Sequence, residues 1–420
     1  MPRARRRALG MSNKEENYSR RDFLKTASAV GIGSMLAPLE SLTNAQTIPN
    51  ANESQSKIVS TRPFGKTGAD VSILGLGGAF HWSNLRLINQ ALKMGVTYWD
   101  TAPRYGNGQS EEAIGKYFEK FPDDRKKVFL VTKSGTLDIP SMKTSLNNSL
   151  RIMKTSYIDL YLLHGIADLY DIKNEMKAWA EREKASGKIR YFGFSTHTNM
   201  ERCLLVAAKM GWIDGIMLTY NFRVMQTEMM KKAVDACFKA GIGLTAMKTQ
   251  ATGWATSTKP LDDRELNLLN QFEKKGLTAE QGKLKAVWDN YQIASICSHM
   301  TNMTTLQANV AAAVDDKNLS LRDKKLMNQY ALHTASNYCA GCAAICESEI
   351  NSEVPISDIM RFLMYYRCYG DLENAKIHFN DLPLNVRKRM THIDYTQAER
   401  KCPQHMKIGQ LMRDATIELA

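Results

Sequence analysis

Three things are missing from this 420-residue chain, and each absence excludes something. No apolar run is long enough to cross a bilayer; the longest candidate, Ala27 to Leu39, is short and Gly-rich, which argues against a transmembrane segment. After the first forty-five residues no Lys/Arg run carries interleaved aromatics, so nucleic acid is not expected as a partner. No G-x-G-x-x-G follows the first strand-like run, which weakens an open, doubly wound dinucleotide fold. What remains is globular in composition, 44% hydrophobic and 24% charged, enough for a large core. The net charge of +13 is partly local: residues 1–45 hold eight Lys/Arg against four Asp/Glu, and removing them leaves +9.

Ser19, Arg20, Arg21, Phe23, Leu24 and Lys25 follow the twin-arginine pattern S-R-R-x-F-L-K, with a mildly apolar stretch behind them. Residues 1–45 therefore read as a removable export signal, processed after Ala45, with Met11 as a second possible start. Residues 46–60 are polar and aperiodic, a linker. The signal implies the twin-arginine export machinery as a partner and a periplasmic or otherwise exported location.

From 61 to 315 short apolar runs alternate with amphipathic stretches. The runs are VSILGLGG, TYWDTA, VFLVTKSG, IDLYLLHG, IRYFGFSTH, GIMLTYNF, GIGLTAMKT and IASICSHM, and between them Leu, Ala and Met recur at helical spacing. Eight apolar runs, each leading into a helix, predict an α/β fold, a closed (β/α)8 TIM barrel. A long insert, ATGWATSTKPLDDRELNLLNQFEKKGLTAEQ, separates the last two runs and is expected over the barrel mouth. Catalytic groups in such barrels sit where strands end. Asp100 ends the second run, Lys133 the third and His164 the fourth, while Tyr105 stands in the loop five residues past Asp100. Singly each has a bland reading; at consecutive strand ends they read as a site.

After about Lys317 the alternation stops, and 316–420 is a mainly helical, Cys-containing extension. Five of the eight cysteines lie there. Cys339, Cys342 and Cys346 form C-x2-C-x3-C, and Cys402 precedes Pro403. Four thiols suit a [4Fe–4S] cluster first, with structural zinc or disulfides as alternatives. Cys368 is left spare, and Cys203, Cys237 and Cys297 fall in apolar patterns that read as core.

WDTAPRYGNGQSEEAIGKYF, LVTKSG and IDLYLLHG together resemble the aldo/keto reductase family over about residues 58–315. The resemblance implies hydride transfer between a nicotinamide cofactor, NAD(P)(H), and a small carbonyl or alcohol substrate. In that reading Tyr105 is the general acid and base, Lys133 held by Asp100 is the cation that favours phenolate, and His164 orients the substrate oxygen. His81 and Trp82 are pocket-lining candidates. Cofactor contacts carry over less fully. Ser195 stands where the family contacts the carboxamide, Thr196 where many members have Asn, and Met217 where Gln is common. Lys248 is left as a phosphate contact, and Asn309 is kept. The Lys and Arg expected to clamp a 2′-phosphate are absent, with His299 and Thr305 in their place, so NADP selectivity is not implied. The tail resembles the reduced ferredoxin-like extension of some family members, in which three clustered Cys and one remote Cys-Pro complete a metal site. An exported enzyme has no cytoplasmic NADH pool, so the expectation is a tightly carried cofactor or a redox partner protein. The alternatives are a redox carrier or a ligand-binding protein built on a catalytically degenerate barrel.

Overall fold

A computed structural model of the chain describes residues 58–78, 85–172, 174–251 and 263–420. The segment read as an export signal, most of the 46–60 segment read as a linker, His81, Trp82 and residues 252–262 of the insert lie outside the described residues. A short antiparallel hairpin, β1 (Thr61–Pro63) and β2 (Asp70–Ser72), precedes the barrel. It places Phe64 among Tyr98, Phe129, Val131 and Leu160 and plugs the N-terminal end of the barrel interior.

Eight parallel strands follow: β3 (Leu74–Gly77), β4 (Tyr98–Asp100), β5 (Phe129–Ser134), β6 (Ile158–Leu163), β7 (Ile189–Thr196), β8 (Gly215–Thr219), β9 (Gly243–Met247) and β10 (Ser295–His299). Each pairs with the next and β10 pairs back on β3, closing the barrel predicted from the eight apolar runs. Strands buried on both faces need apolar side chains at successive positions, which is why these runs stand out in the sequence.

The intervening helices form the outer ring: α1 (Leu85–Lys93), α2 (Gln109–Lys120), α3 (Ile139–Ile152), α4 (Asn174–Ala185), α5 (Met200–Met210), α6 (Glu228–Lys239), α7 (Asp263–Glu273), α8 (Ala279–Trp288) and α9 (Met303–Val314). Their starts are fixed chemically. Asp138 accepts from Ser141 N at the head of α3, Thr278 and Gln281 form a capping box on α8, and Asn302 caps α9.

Beyond the barrel come α10 (Leu321–His333), α11 (Ala343–Cys346), α12 (Ile356–Tyr369), α13 (Leu372–Asn380), α14 (Leu384–Arg389), α15 (Thr396–Lys401) and α16 (Ile408–Glu418). Met327, Tyr330 and Ala331 of α10 belong to the core around the barrel, whereas Ile359, Leu363, Phe379, Met412 and Leu419 form a second core that also encloses Cys346 and Cys402. In the described part of the insert α7 runs beside α10, and Lys275 pairs with Asp323. The mouth is overlain by α12. Among the described residues no helix is long and apolar enough to cross a membrane.

Candidate active site

Strand periodicity assembles the site. Side chains alternate across a strand, so residues two apart share a face. Tyr98, Phe129, Val131, Leu160, Leu162 and Met217 fill the barrel interior. One step further along the same faces lie Asp100 on β4, Lys133 on β5, His164 just past β6 and Thr219 on β8, while Ser195 and His197 share the inward face of β7. The next polar layer above the apolar plug is therefore the site itself.

Asp100 and Lys133 are its buried base, with side chains 4% and 1% exposed. Lys133 Nζ donates to Asp100 Oδ1 at 2.5 Å and to Thr101 O at 2.8 Å. Burial pushes the Asp100 carboxyl up, against the pull of Lys133 and a hydrogen bond with the Cys297 thiol. Tyr105 stands over this pair, its ring centroid 4.6 Å from Lys133 Nζ. The His164 ring meets the Tyr105 ring edge to face, with centroids 5.7 Å apart. The structure thus brings Asp100, Tyr105, Lys133 and His164 together.

The electrostatics differ from the expectation in one respect. The cation faces the Tyr105 ring, and burial, followed by the nearby Asp100, pushes the phenol well above its ordinary value. The resting phenol is neutral, a state suited to giving a proton. Burial, with Lys133 and Arg361 close by, drives His164 well below its ordinary value, so its imidazole is neutral too.

The residues expected to hold a cofactor separate into two groups. Ser195 is buried and its Oγ accepts from Gly165 N at 3.0 Å, tying β7 to the loop after β6. Thr196 falls on the outward face with Phe192 and Phe194, and its Oγ1 donates to Thr198 O at 2.9 Å. Asn309, on α9, donates to Ser298 Oγ at 3.0 Å. All three side chains serve the barrel's own framework. Lys248 is different: it follows β9 in a left-handed backbone conformation with φ of 56° and lines a cleft with His197, Thr219, Ser357 and Arg361.

His197, Arg361 and Tyr365 were not singled out from the sequence, and Cys297, read there as core, shares a hydrogen bond with Asp100 at the site. The signal for His197 was available, since it stands two residues beyond Ser195 on the same face. Arg361 and Tyr365 reach the site from a segment more than a hundred residues past Lys248, and no local pattern marks that approach.

The extension docks on the loop after β7. Asn199 N donates to Gly341 O at 2.7 Å, Ala344 N donates to Asn199 Oδ1 at 2.8 Å, and Thr198 and Ser357 share a hydroxyl contact at 3.3 Å. Arg104, beside Tyr105, pairs with Asp381 at 3.0 Å. Cys339, Cys342, Cys346 and Cys402 line one pocket with Ile356 and Met360, and Cys368 is not among its lining residues. None of the eight cysteines, all of them among the described residues, is joined in a disulfide. Burial pushes the Cys342 and Cys346 thiols up to about 11 and about 12. Among the described residues no three His, Cys, Asp or Glu side chains converge tightly enough to hold a metal ion.

A closed (β/α)8 barrel with its buried charges gathered at the strand ends is the framework of an enzyme whose loops carry the chemistry. The aldo/keto reductase family model matches residues 81–319, and the chain belongs to that family of oxidoreductases. L-galactose dehydrogenase of Arabidopsis thaliana is 21% identical over 301 residues, covering 65% of this chain and 94% of that protein. The uncharacterized oxidoreductase YqkF of Bacillus subtilis (strain 168) is 33% identical over 151 residues, 32% of this chain, and the match spans about half of YqkF, 48%. The holo form of aldo-keto reductase AKR11C1 from Bacillus halodurans superposes with a TM-score of 0.54 at 23% identity, over 68% of this chain and 98% of that one. At that identity the likeness concerns the fold. The family match ends at residue 319, so the cysteine pocket and α12 lie beyond it.

Proposed function

We propose that the protein is an exported aldo/keto oxidoreductase that interconverts a small carbonyl compound and its alcohol, with Tyr105 as general acid and base. The observation that carries this reading is the gathering of Asp100, Lys133, Tyr105 and His164 at consecutive strand ends. A nicotinamide dinucleotide, when bound, supplies the hydride. In reduction the neutral Tyr105 hydroxyl gives its proton to the carbonyl oxygen, and the His164 imidazole hydrogen-bonds that oxygen and orients it. As the phenol loses its proton, the Lys133 ammonium stabilises the charge that develops. Two of its three N–H donors stay fixed on Asp100 and Thr101 and hold it in place. In oxidation the same proton path runs in reverse. Lys248 is the candidate for a cofactor phosphate, and nothing at the described site favours NADP over NAD.

We further propose that Cys339, Cys342, Cys346 and Cys402 hold a [4Fe–4S] cluster. Their shared pocket supports this, as does the remote Cys-Pro that completes the four. Four thiolates on one zinc must stand about 3.8 Å apart, from a Zn–S bond of about 2.3 Å in a tetrahedron. In a [4Fe–4S] cluster each thiolate binds its own iron, so the four need not meet at one point. A bound cluster accounts for the twin-arginine signal, because that route carries proteins already folded. A redox partner protein would then exchange electrons with the exported enzyme.

The test pairs composition with turnover. Anaerobically purified protein is assayed for iron, zinc and dinucleotide, then for NADH and NADPH oxidation against aldehydes, ketones, sugars and quinones. Tyr105→Phe should lower turnover by roughly a hundredfold to ten-thousandfold with the fold unchanged. Equal turnover by wild type and Tyr105→Phe would leave the redox-carrier reading instead.

A further inference from the structure

The mouth holds a second charged cluster that the proton path above does not use. Lys248 contributes from the end of β9, and Arg361 and Tyr365 from successive turns of α12. Lys248 Nζ lies 5.3 Å from the centroid of the Tyr365 ring. Arg361 Nη1 donates to Tyr365 Oη at 3.3 Å, and Arg361 Nη2 donates to Asp358 Oδ1 at 2.7 Å. Both cations line one cleft with His197, Thr219 and Ser357.

Charge in this cleft is out of balance. Asp358, the carboxylate paired with Arg361, is 42% exposed and so partly screened by solvent. Lys248 has the Tyr365 phenol as its partner. Arg361 Nε is buried and has no hydrogen-bond partner, a donor with nothing to accept from it. Tyr365 also faces Tyr369 and His378. Burial pushes its phenol up, yet Lys248 and then Arg361 overcome that and hold it below its ordinary value. The phenol reports a positive field that an anion would neutralise.

The geometry points to an oxyanion site: we propose that Lys248 and Arg361 together grip a carboxylate or phosphate on a ligand that reaches Tyr105 and His164. A guanidinium fork matches either planar carboxylate or phosphate oxygens, and an ammonium completes the grip as a point charge. The site is composite, one cation from the family barrel and one from the segment beyond it. It deepens, and rests on, the oxidoreductase reading above. The oxyanion belongs either to the dinucleotide or to a carbonyl substrate that carries an acid group.

Calorimetric binding of inorganic phosphate, glyoxylate and NADPH to the full-length protein tests this. Lys248→Met and Arg361→Gln should each weaken at least one of the three by about tenfold to a hundredfold, and Arg361→Lys should recover part of the loss. Weakened glyoxylate with unchanged NADPH assigns the oxyanion to the substrate, and the converse assigns it to the dinucleotide. If neither substitution weakens any of the three, the site is overturned. Melting curves identify a variant that fails to fold, and Lys248→Met, whose side chain has no carboxylate partner, then carries the test. Tyr105→Phe should bind inorganic phosphate as tightly as wild type, since phosphate has no carbonyl for the phenol to meet. Unchanged turnover in that variant would sink the oxidoreductase reading and leave the oxyanion site standing.

Discussion

Lys133, Asp100 and His164 were legible because each ends an apolar run, and a titratable residue at that position has to be placed by the barrel rather than by solvent. Their mutual geometry was not. The sequence suggests a cation beside a phenol; the fold puts that cation on the ring face, bound to Asp100 and Thr101, while burial and then Asp100 push the Tyr105 phenol well above its ordinary value. The imidazoles carry a consequence for stability. Burial, with Lys133 and Arg361 near His164 and with Lys248 and Arg361 near His197, holds both well below the ordinary histidine value near 6.5. Above pH about 6.5 folded and unfolded chains hold the same protons on these groups, so neither affects stability there. Below it the unfolded chain gains protons that the folded site refuses, and stability falls as pH falls toward the folded values. From pH 7.5 to 5.5 the loss is at most about 1.4 kcal/mol for each imidazole. Urea midpoints at those two pH values should therefore separate less in the His164→Gln, His197→Gln double variant than in wild type. Equal separation would mean that neither imidazole is held neutral.

At the scale of elements, all eight barrel strands were readable, since burial on both faces writes a continuous apolar run. The β1–β2 hairpin was not, because three-residue strands are too short to show a period. The role of α12 was hidden for another reason. Its sequence announces a helix, but where that helix docks depends on a loop far upstream. That docking turns on Gly341. Its φ of +81° is left-handed, and a Cβ there would lie 2.2 Å from His197 O, a backbone atom with no freedom to retreat. Gly341→Ala should cost roughly 1–3 kcal/mol in conformational strain alone. It should also displace the segment between Cys339 and Cys342, so iron retained after anaerobic purification should fall along with the melting temperature. Full iron content in a destabilised Gly341→Ala protein would show that the cysteine pocket holds together without its anchor on the loop after β7.

Among the described residues the apolar clusters in and around the barrel differ in kind from that of the extension. The barrel's apolar residues are many and are closed in by its own strands, whereas the core of the extension is smaller, supplied mostly by α12 and α16 with the short helices α11 and α15 packed beside them. Short helices are marginal on their own, and a small core seldom suffices without a covalent or metal brace. Cys346 and Cys402 sit inside that second core and join segments more than fifty residues apart, so a bound cluster would close a long loop where apolar packing is thinnest. Metal removal should then act unevenly. Scanning calorimetry of the iron-loaded protein should show the extension melting with the barrel or close to it, while protein stripped by a chelator should show a separate, earlier transition. Near-ultraviolet dichroism would place that early loss in the tyrosine-rich α12, and amide exchange should leave the barrel strands protected through it. A chelated protein that melts in the same single transition as the loaded one would mean that the second core stands on apolar packing alone. The four cysteines would then lose their role as a brace, whatever they bind.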